Sequence, residues 1–301
     1  LAAPRVARRR VVLAWGITLL VSLLPNILWQ AAAGEAPAWL FWAKVGLLVA
    51  LAAGASFWPL VAPLRGYLAV VAAVYLLEEA AGRLGTTALW QGWFGGQGVP
   101  FTTDMLGTQI RRLAVALAVI GVLYVLGYRR RAAYLRAGDL RAPAAGVRWL
   151  GIPAGASWAR LGPIVSLCIG GGLSVFLVLA GRPSGAALAR ALPMLPMILL
   201  LAAMNAFSEE MTYRSAFLAP LVGAVGRAQA VALTAAFFGL GHYYGVPYGV
   251  LGVLMAGSLG WLLGKAMVET GGMFWPWVIH LAQDVLIFSF MAIGAVVAGG
   301  G

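Results

Sequence analysis

Charge is what this chain has least of. Only 10% of its 301 residues are Asp, Glu, Lys or Arg, against roughly 25% in an average soluble domain. Cysteine is nearly absent as well: Cys168 stands alone, which excludes an intrachain disulfide and a Cys-based zinc cluster. Acids are scarcer than bases, nine against 21, for a net charge of +12, and all but two of the bases are arginine. Such a balance raises nucleic acid as a partner. The arginines, however, lie between apolar runs, which fits loops facing an anionic membrane surface and argues against nucleic acid. What the chain has in excess is hydrophobic residues, 62% of the total. One aqueous core cannot enclose that much apolar surface, so the bilayer must be its solvent. A soluble enzyme, a disulfide scaffold and a DNA-binding protein are excluded.

A membrane helix needs about 20 mainly apolar residues. Runs of that kind are Val11–Trp29, Trp39–Pro63, Gly66–Gly82, Leu113–Tyr128, Leu161–Ala180, Ala191 to Leu221, Ala228 to Gly245, Pro247–Val268 and Met273–Ala298. The expected fold is all-α, a polytopic transmembrane helical bundle of about 8–9 spans, eight if one run is re-entrant. Arg5, Arg8, Arg9 and Arg10 precede the first run. Arg129, Arg130, Arg131, Arg136, Arg141, Arg148 and Arg160 follow the fourth, opposed only by Asp139. The positive-inside rule puts both stretches, and so the N-terminus, in the cytoplasm. The segment Arg83–Arg112, with Trp90, Trp93 and Phe94, then faces out along the interface. A competing reading takes the first 33 residues as a signal peptide ending near Ala31-Ala32-Ala33. The basic stretch divides residues 1–160, an N-terminal four-span region, from residues 161–301. The expected location is the plasma (inner) membrane of a prokaryote.

In lipid an ionisable side chain costs roughly +2.5 to +3.5 kcal/mol at a helix centre and marks function by default. Glu78, Glu79, Glu209, Glu210, Asp284 and both histidines, His242 and His280, lie in apolar runs. Five of them sit in three short C-terminal patterns. In Ser208-Glu209-Glu210-Met211-Thr212-Tyr213-Arg214, Glu210 and Arg214 are one helical turn apart and pair. Glu209, turned about 100° away, is left without a cation, which suits a general base. In Phe238-Gly239-Leu240-Gly241-His242, the phenyl ring stacks below the imidazole. His280 and Asp284 again share a helix face. Each pattern alone also reads as a packing contact. Glu78-Glu79-Ala80-Ala81-Gly82-Arg83 repeats the first spacing, but no histidine lies in its half, so that pair reads as structural.

With these residues in view, the sequence resembles the CPBP family, the CAAX prenyl proteases and bacteriocin-processing enzymes also called Abi. Its members carry EExxxR, FxxxH and HxxxN or HxxxD in that order; Glu209–Arg214, Phe238–His242 and His280–Asp284 match all three. The resemblance covers residues 190–295 and none of the first 160. It implies an intramembrane endopeptidase acting on a membrane-associated or lipidated peptide or protein. Glu209 would activate a water that His242 helps to hold. His280 and Asp284 would stabilise the oxyanion, and Arg214 would orient the glutamate pair. Phe238 would line the cavity. A metal-free mechanism without cofactor is favoured, the alternative being Zn2+ on Glu209, His242 and His280. Asp284, where Asn is common in the family, raises the odds of a cation. A strict alternation of spans leaves His242 nearer the outer end than Glu209, unless Gly239–Gly249 is kinked or re-entrant. The rival readings are a proton-coupled transporter and a non-catalytic membrane scaffold. Whether the N-terminal half docks a protein partner or gates substrate stays open.

Overall fold

The computed structural model describes residues 2–96 and 98–298, and among them every regular element is helical. Thirteen α-helices follow in order: α1 (Ala2–Val21), α2 (Leu24–Ala33), α3 (Trp39–Gly54), α4 (Arg65–Gly85), α5 (Ala88–Phe94), α6 (Phe101–Val125) and α7 (Trp158–Gly181). They continue with α8 (Gly185–Ala191), α9 (Leu195–Glu209), α10 (Ala216–Val225), α11 (Arg227–Gly241), α12 (Val250–Thr270) and α13 (Phe274–Ala298). A π-helical turn, Glu210–Ser215, joins α9 to α10.

Five helical segments are long and apolar enough to cross a membrane: Phe101–Val125, Trp158–Gly181, Gly185–Val225, Val250–Thr270 and Phe274–Ala298. A sixth appears if α1 and α2, bent by 52° at their junction, are taken as one span. The all-helical expectation holds, and the apolar segments point to an integral membrane protein. Along α7 beyond Arg160 the exposed side chains are apolar, with Leu167 at 76% exposure, a surface suited to lipid rather than water.

Polar side chains repair the backbone where helices break. At the α1–α2 bend Tyr75 of α4 donates to the carbonyl of Val21, and the buried Lys44 of α3 donates to that of Ser22 at 2.6 Å and to Asn26 Oδ1. Carbonyls freed by a bend at this depth need such donors. The basic stretch after α6 is strapped to the α12–α13 turn: Asp139 N donates to Thr270 O at 2.8 Å and Arg136 Nε to Gly271 O at 2.7 Å. Gly138 and Gly272 let the two backbones touch, since a Cβ on Gly138 would lie 2.7 Å from Thr270 O. Lys265 pairs with Glu269, and Trp158 Nε1 donates to the same carboxylate at 2.9 Å, fixing the start of α7.

Two packings position the site. The α11–α12 pair closes through small residues, with Gly239 facing the backbone of Val253 and Gly257. Helix α13 lies between α7 and α9, and α9 in turn packs on α6 from the N-terminal half.

Several boundaries differ from the sequence reading: the first run breaks between α1 and α2, the second ends as helix at Gly54, and two more bear on the site. The fourth apolar run starts at Phe101, not Leu113, so Arg111 and Arg112 lie inside α6 and not in an outer segment. A hydropathy scan stops at such charges, whereas the fold supplies partners for both. Arg111 donates to Ala81 O at 3.1 Å and lies over the Trp90 ring. The seventh run is shorter than expected: α11 ends at Gly241, and 242–249 form a tight non-helical connection to α12. His242 is therefore at a helix end beside that connection, which removes the need for a span running on to Gly245.

Candidate active site

The two glutamates sit at the junction of α9 and the π-turn. A π-turn takes one extra residue into a helix and recurs at functional sites. Here Glu210, Tyr213, Arg214 and Ser215 each make a polar side-chain contact. Glu210 pairs with Arg214, both fully buried. Tyr213 donates to Glu78 of α4 at 2.9 Å, and Ser215 donates to the carbonyl of Ala133.

Glu210 also faces α13, with His280 Nδ1 lying 2.7 Å from its Oε1. A carboxylate already paired with Arg214 can only accept, so Nδ1 carries a proton and donates. The other ring nitrogen, Nε2, then points at two carboxylates: Glu209 Oε2 at 3.6 Å and Asp284 Oδ1 at 3.6 Å. Asp284 Oδ2 in turn accepts from Asn205 Nδ2 at 3.0 Å.

Phe238 is the wall that the remaining groups share. The Arg214 guanidinium lies 4.2 Å from the centre of its ring, a cation–π contact on the face of the ion pair. Its ring centre is 4.4 Å from that of His242 and 6.4 Å from that of His280. His242 Nδ1 is 2.8 Å from the carbonyl of Phe238. A carbonyl only accepts, so Nδ1 donates and Nε2 of the neutral ring is free to accept. Gly260 on α12 allows this crowding, since a Cβ there would lie 3.2 Å from Phe238 Cδ1.

All the residues expected from the motifs are accounted for. Glu209, Glu210, His280 and Asp284 form one polar cluster; Arg214 joins it through Glu210, and His242 flanks it across Phe238. One expectation is corrected. Glu209 is not without a cation: Arg112 Nη1 donates to its Oε1 at 2.8 Å. Arg214 contacts Glu210 and not Glu209, so two different arginines hold the two glutamates. Sequence reasoning also missed Asn205, which accepts from Arg112 Nη1 at 2.5 Å and donates to Asp284. Its spacing to Glu209, one turn along an apolar run, is the signal that could have found it. Glu78, read as structural, touches this neighbourhood through Tyr213.

Metal coordination fits the arrangement poorly. Among the described residues no group of three or more His, Cys, Asp or Glu side chains is placed to hold an ion. Glu209, His242 and His280 thus offer no preformed zinc donor set, and no chemical step is routed through a metal.

Residues 191–286 match the family model described as Type II CAAX prenyl endopeptidase Rce1-like. This match supports the CPBP resemblance carried by the three motifs and spans just under a third of the chain. No curated protein and no solved structure matched the chain.

Proposed function

We propose that the protein is an intramembrane endopeptidase in which Glu209 activates water against a peptide bond of a membrane-associated or lipidated substrate. The observation that carries this reading is the 3.6 Å approach of Glu209 Oε2 to His280 Nε2 across two helices, in a segment that matches a CAAX-endopeptidase family. Glu209 Oε2 takes a proton from the water as its oxygen attacks the carbonyl carbon. His242 Nε2 accepts from the same water. The developing oxyanion receives a hydrogen bond from Nε2 of the His280 imidazolium, a proton on each ring nitrogen, while Asp284 and Glu210 hold that ring in place from either side. Collapse breaks the C–N bond, and the leaving amine takes the proton back from Glu209. A positioned base contributes about 10²–10⁴-fold, and an oxyanion donor about 10²–10³-fold.

The same reading takes the bundle as about nine passes with a cytoplasmic N-terminus, in the plasma membrane of a prokaryote. Contacts between helices support the alternation: Arg10 of α1 reaches Ala224 O at the end of α10, and Gln30 of α2 accepts from Tyr244 beyond α11 at 2.5 Å.

The test uses purified protein and internally quenched peptides ending in a CAAX-type sequence, farnesylated or not, with fragments identified by mass spectrometry. Wild type should cleave, with or without chelator, and Glu209→Gln should lose at least about 10³-fold while staying folded. Equal cleavage by wild type and Glu209→Gln overturns the assignment of the base; loss of activity with the chelator overturns the metal-free route. Peptides accumulating in cells that carry Glu209→Ala would identify the native substrate.

A further inference from the structure

We propose that Arg112, contributed by α6, is a positioning residue for Glu209, so that the N-terminal half completes the catalytic centre. This rests on the endopeptidase reading above. Arg112 lies outside the segment that matches the family, 191–286, and none of the three motifs includes it.

The geometry separates the two oxygens of Glu209. Oε1 accepts from Arg112 Nη1 at 2.8 Å and lies 3.4 Å from Asn205 Nδ2. Oε2 is left facing His280 Nε2 at 3.6 Å, beyond hydrogen-bond length and open to a reacting water. One carboxylate oxygen is thus an anchor and the other is the working atom. Arg112 also donates to Asn205 Oδ1 at 2.5 Å, and Asn205 carries the contact on to Asp284 at 3.0 Å. Asn205 is thus held from both sides, by Arg112 and by Asp284, and the guanidinium sets the position of the proposed base.

Cost and exposure point the same way. An arginine halfway along an apolar helix is expensive, so it is expected only where it has a partner or a polar face. Its neighbour Arg111 turns away, to Ala81 O and Trp90, so the two adjacent arginines have separate tasks. The Arg112 side chain is 43% exposed, against 13% for Glu209. The groups facing Glu209 are Arg112 on α6, Asn205 on its own helix, and His280 and Asp284 on α13. Of these, Arg112 is the one permanent cation.

The experiment measures kcat and KM of the full chain on the farnesylated quenched peptide for wild type, Glu209→Gln, Arg112→Gln, Arg112→Lys and the double variant Arg112→Gln/Glu209→Gln. Thermal melting in detergent is followed alongside. Arg112→Gln should lower kcat by about 10²-fold, the scale of a misplaced reacting group, with KM within about threefold. Arg112→Lys should recover about tenfold of that loss, since an ammonium restores the charge but not the planar fork. The double variant should be no slower than Glu209→Gln alone, because Arg112 acts only through that carboxylate. Unchanged kcat in Arg112→Gln overturns the proposal. So does a rise in KM at constant kcat, which would make Arg112 a substrate contact. A further loss in the double variant also overturns it, as does a kcat loss that tracks lowered melting in both Gln and Lys variants. If Glu209→Gln cleaves like wild type, or wild type cleaves nothing, the endopeptidase reading fails and this proposal with it. Failure of the Arg112 proposal alone would instead appear against Glu209-dependent cleavage.

Discussion

On α4, Glu79 meets Arg83 across one helical turn with side chains 36% and 70% exposed; at the α9–α10 junction, Glu210 meets Arg214 with both at 0%. The spacing Glu-Glu-x-x-x-Arg is the same in the two places, so spacing sets only which side chains can touch. Surroundings set the chemistry. The α4 pair is solvated and screened, the usual fate of a surface ion pair. The junction pair is sealed by Phe238 over the guanidinium and tied to α13 by His280. The two patterns also meet, since Glu78 of the first accepts from Tyr213 inside the second. The lone glutamate of each pattern reaches across the boundary between the halves of the chain.

That contrast can be broken by substitution. The largest difference should come from the arginines. Arg214→Ala leaves Glu210 buried without its cation and should cost about 3–5 kcal/mol, whereas Arg83→Ala should cost no more than about 0.5 kcal/mol. Equilibrium unfolding in detergent micelles checks both, and similar values would mean that the junction pair is not sealed. Next come the glycines near each pattern. A Cβ on Gly239 would press on Val253 O at 2.7 Å, so Gly239→Ala should cost about 1–3 kcal/mol by prising α11 from α12. Gly82 has open space, and Gly82→Ala should stabilise α4 by about 0.5–1 kcal/mol. The smallest contrast lies within the α4 pattern itself. Glu78→Gln weakens a charge-assisted bond to Tyr213 and should cost about 1 kcal/mol, with Glu79→Gln within about 0.5 kcal/mol of wild type. Reversal of that order would show that the Glu78–Tyr213 contact contributes nothing.

The motif residues were legible because lipid makes them costly: five acids and histidines inside apolar runs need a reason, and three ordered patterns supply one. Arg112 was not legible for the same reason in reverse. A charge ends an apolar run when runs are read along the sequence, and only α9 packing on α6 shows that its cost is offset. Asn205 escaped because a neutral amide hardly disturbs hydropathy. All-helical architecture followed from composition, but the ends of α6 and α11 did not. Both depend on partners distant in sequence: Ala81 and Glu209 for the arginines of α6, and the close approach of Gly239 to α12 for α11. The π-turn had no local signature at all.

That turn makes the centre depend on arithmetic. The rod from Gly185 to Val225 is continuous over 41 residues, and within it Glu210–Ser215 holds one residue more than an α-helical turn would count. The wide turn spreads its rotation over that extra residue, so α9 and α10 keep nearly the phase they would have in an unbroken helix. Losing any one of the six would close the turn to ordinary helix with the flanking helices still nearly in phase, but five residues would then stand where six had faced their partners. Glu210, Tyr213, Arg214 and Ser215 could not all keep the contacts they now make. The turn stores its spare residue as side-chain reach, so a change in residue count there matters more than a change in residue type.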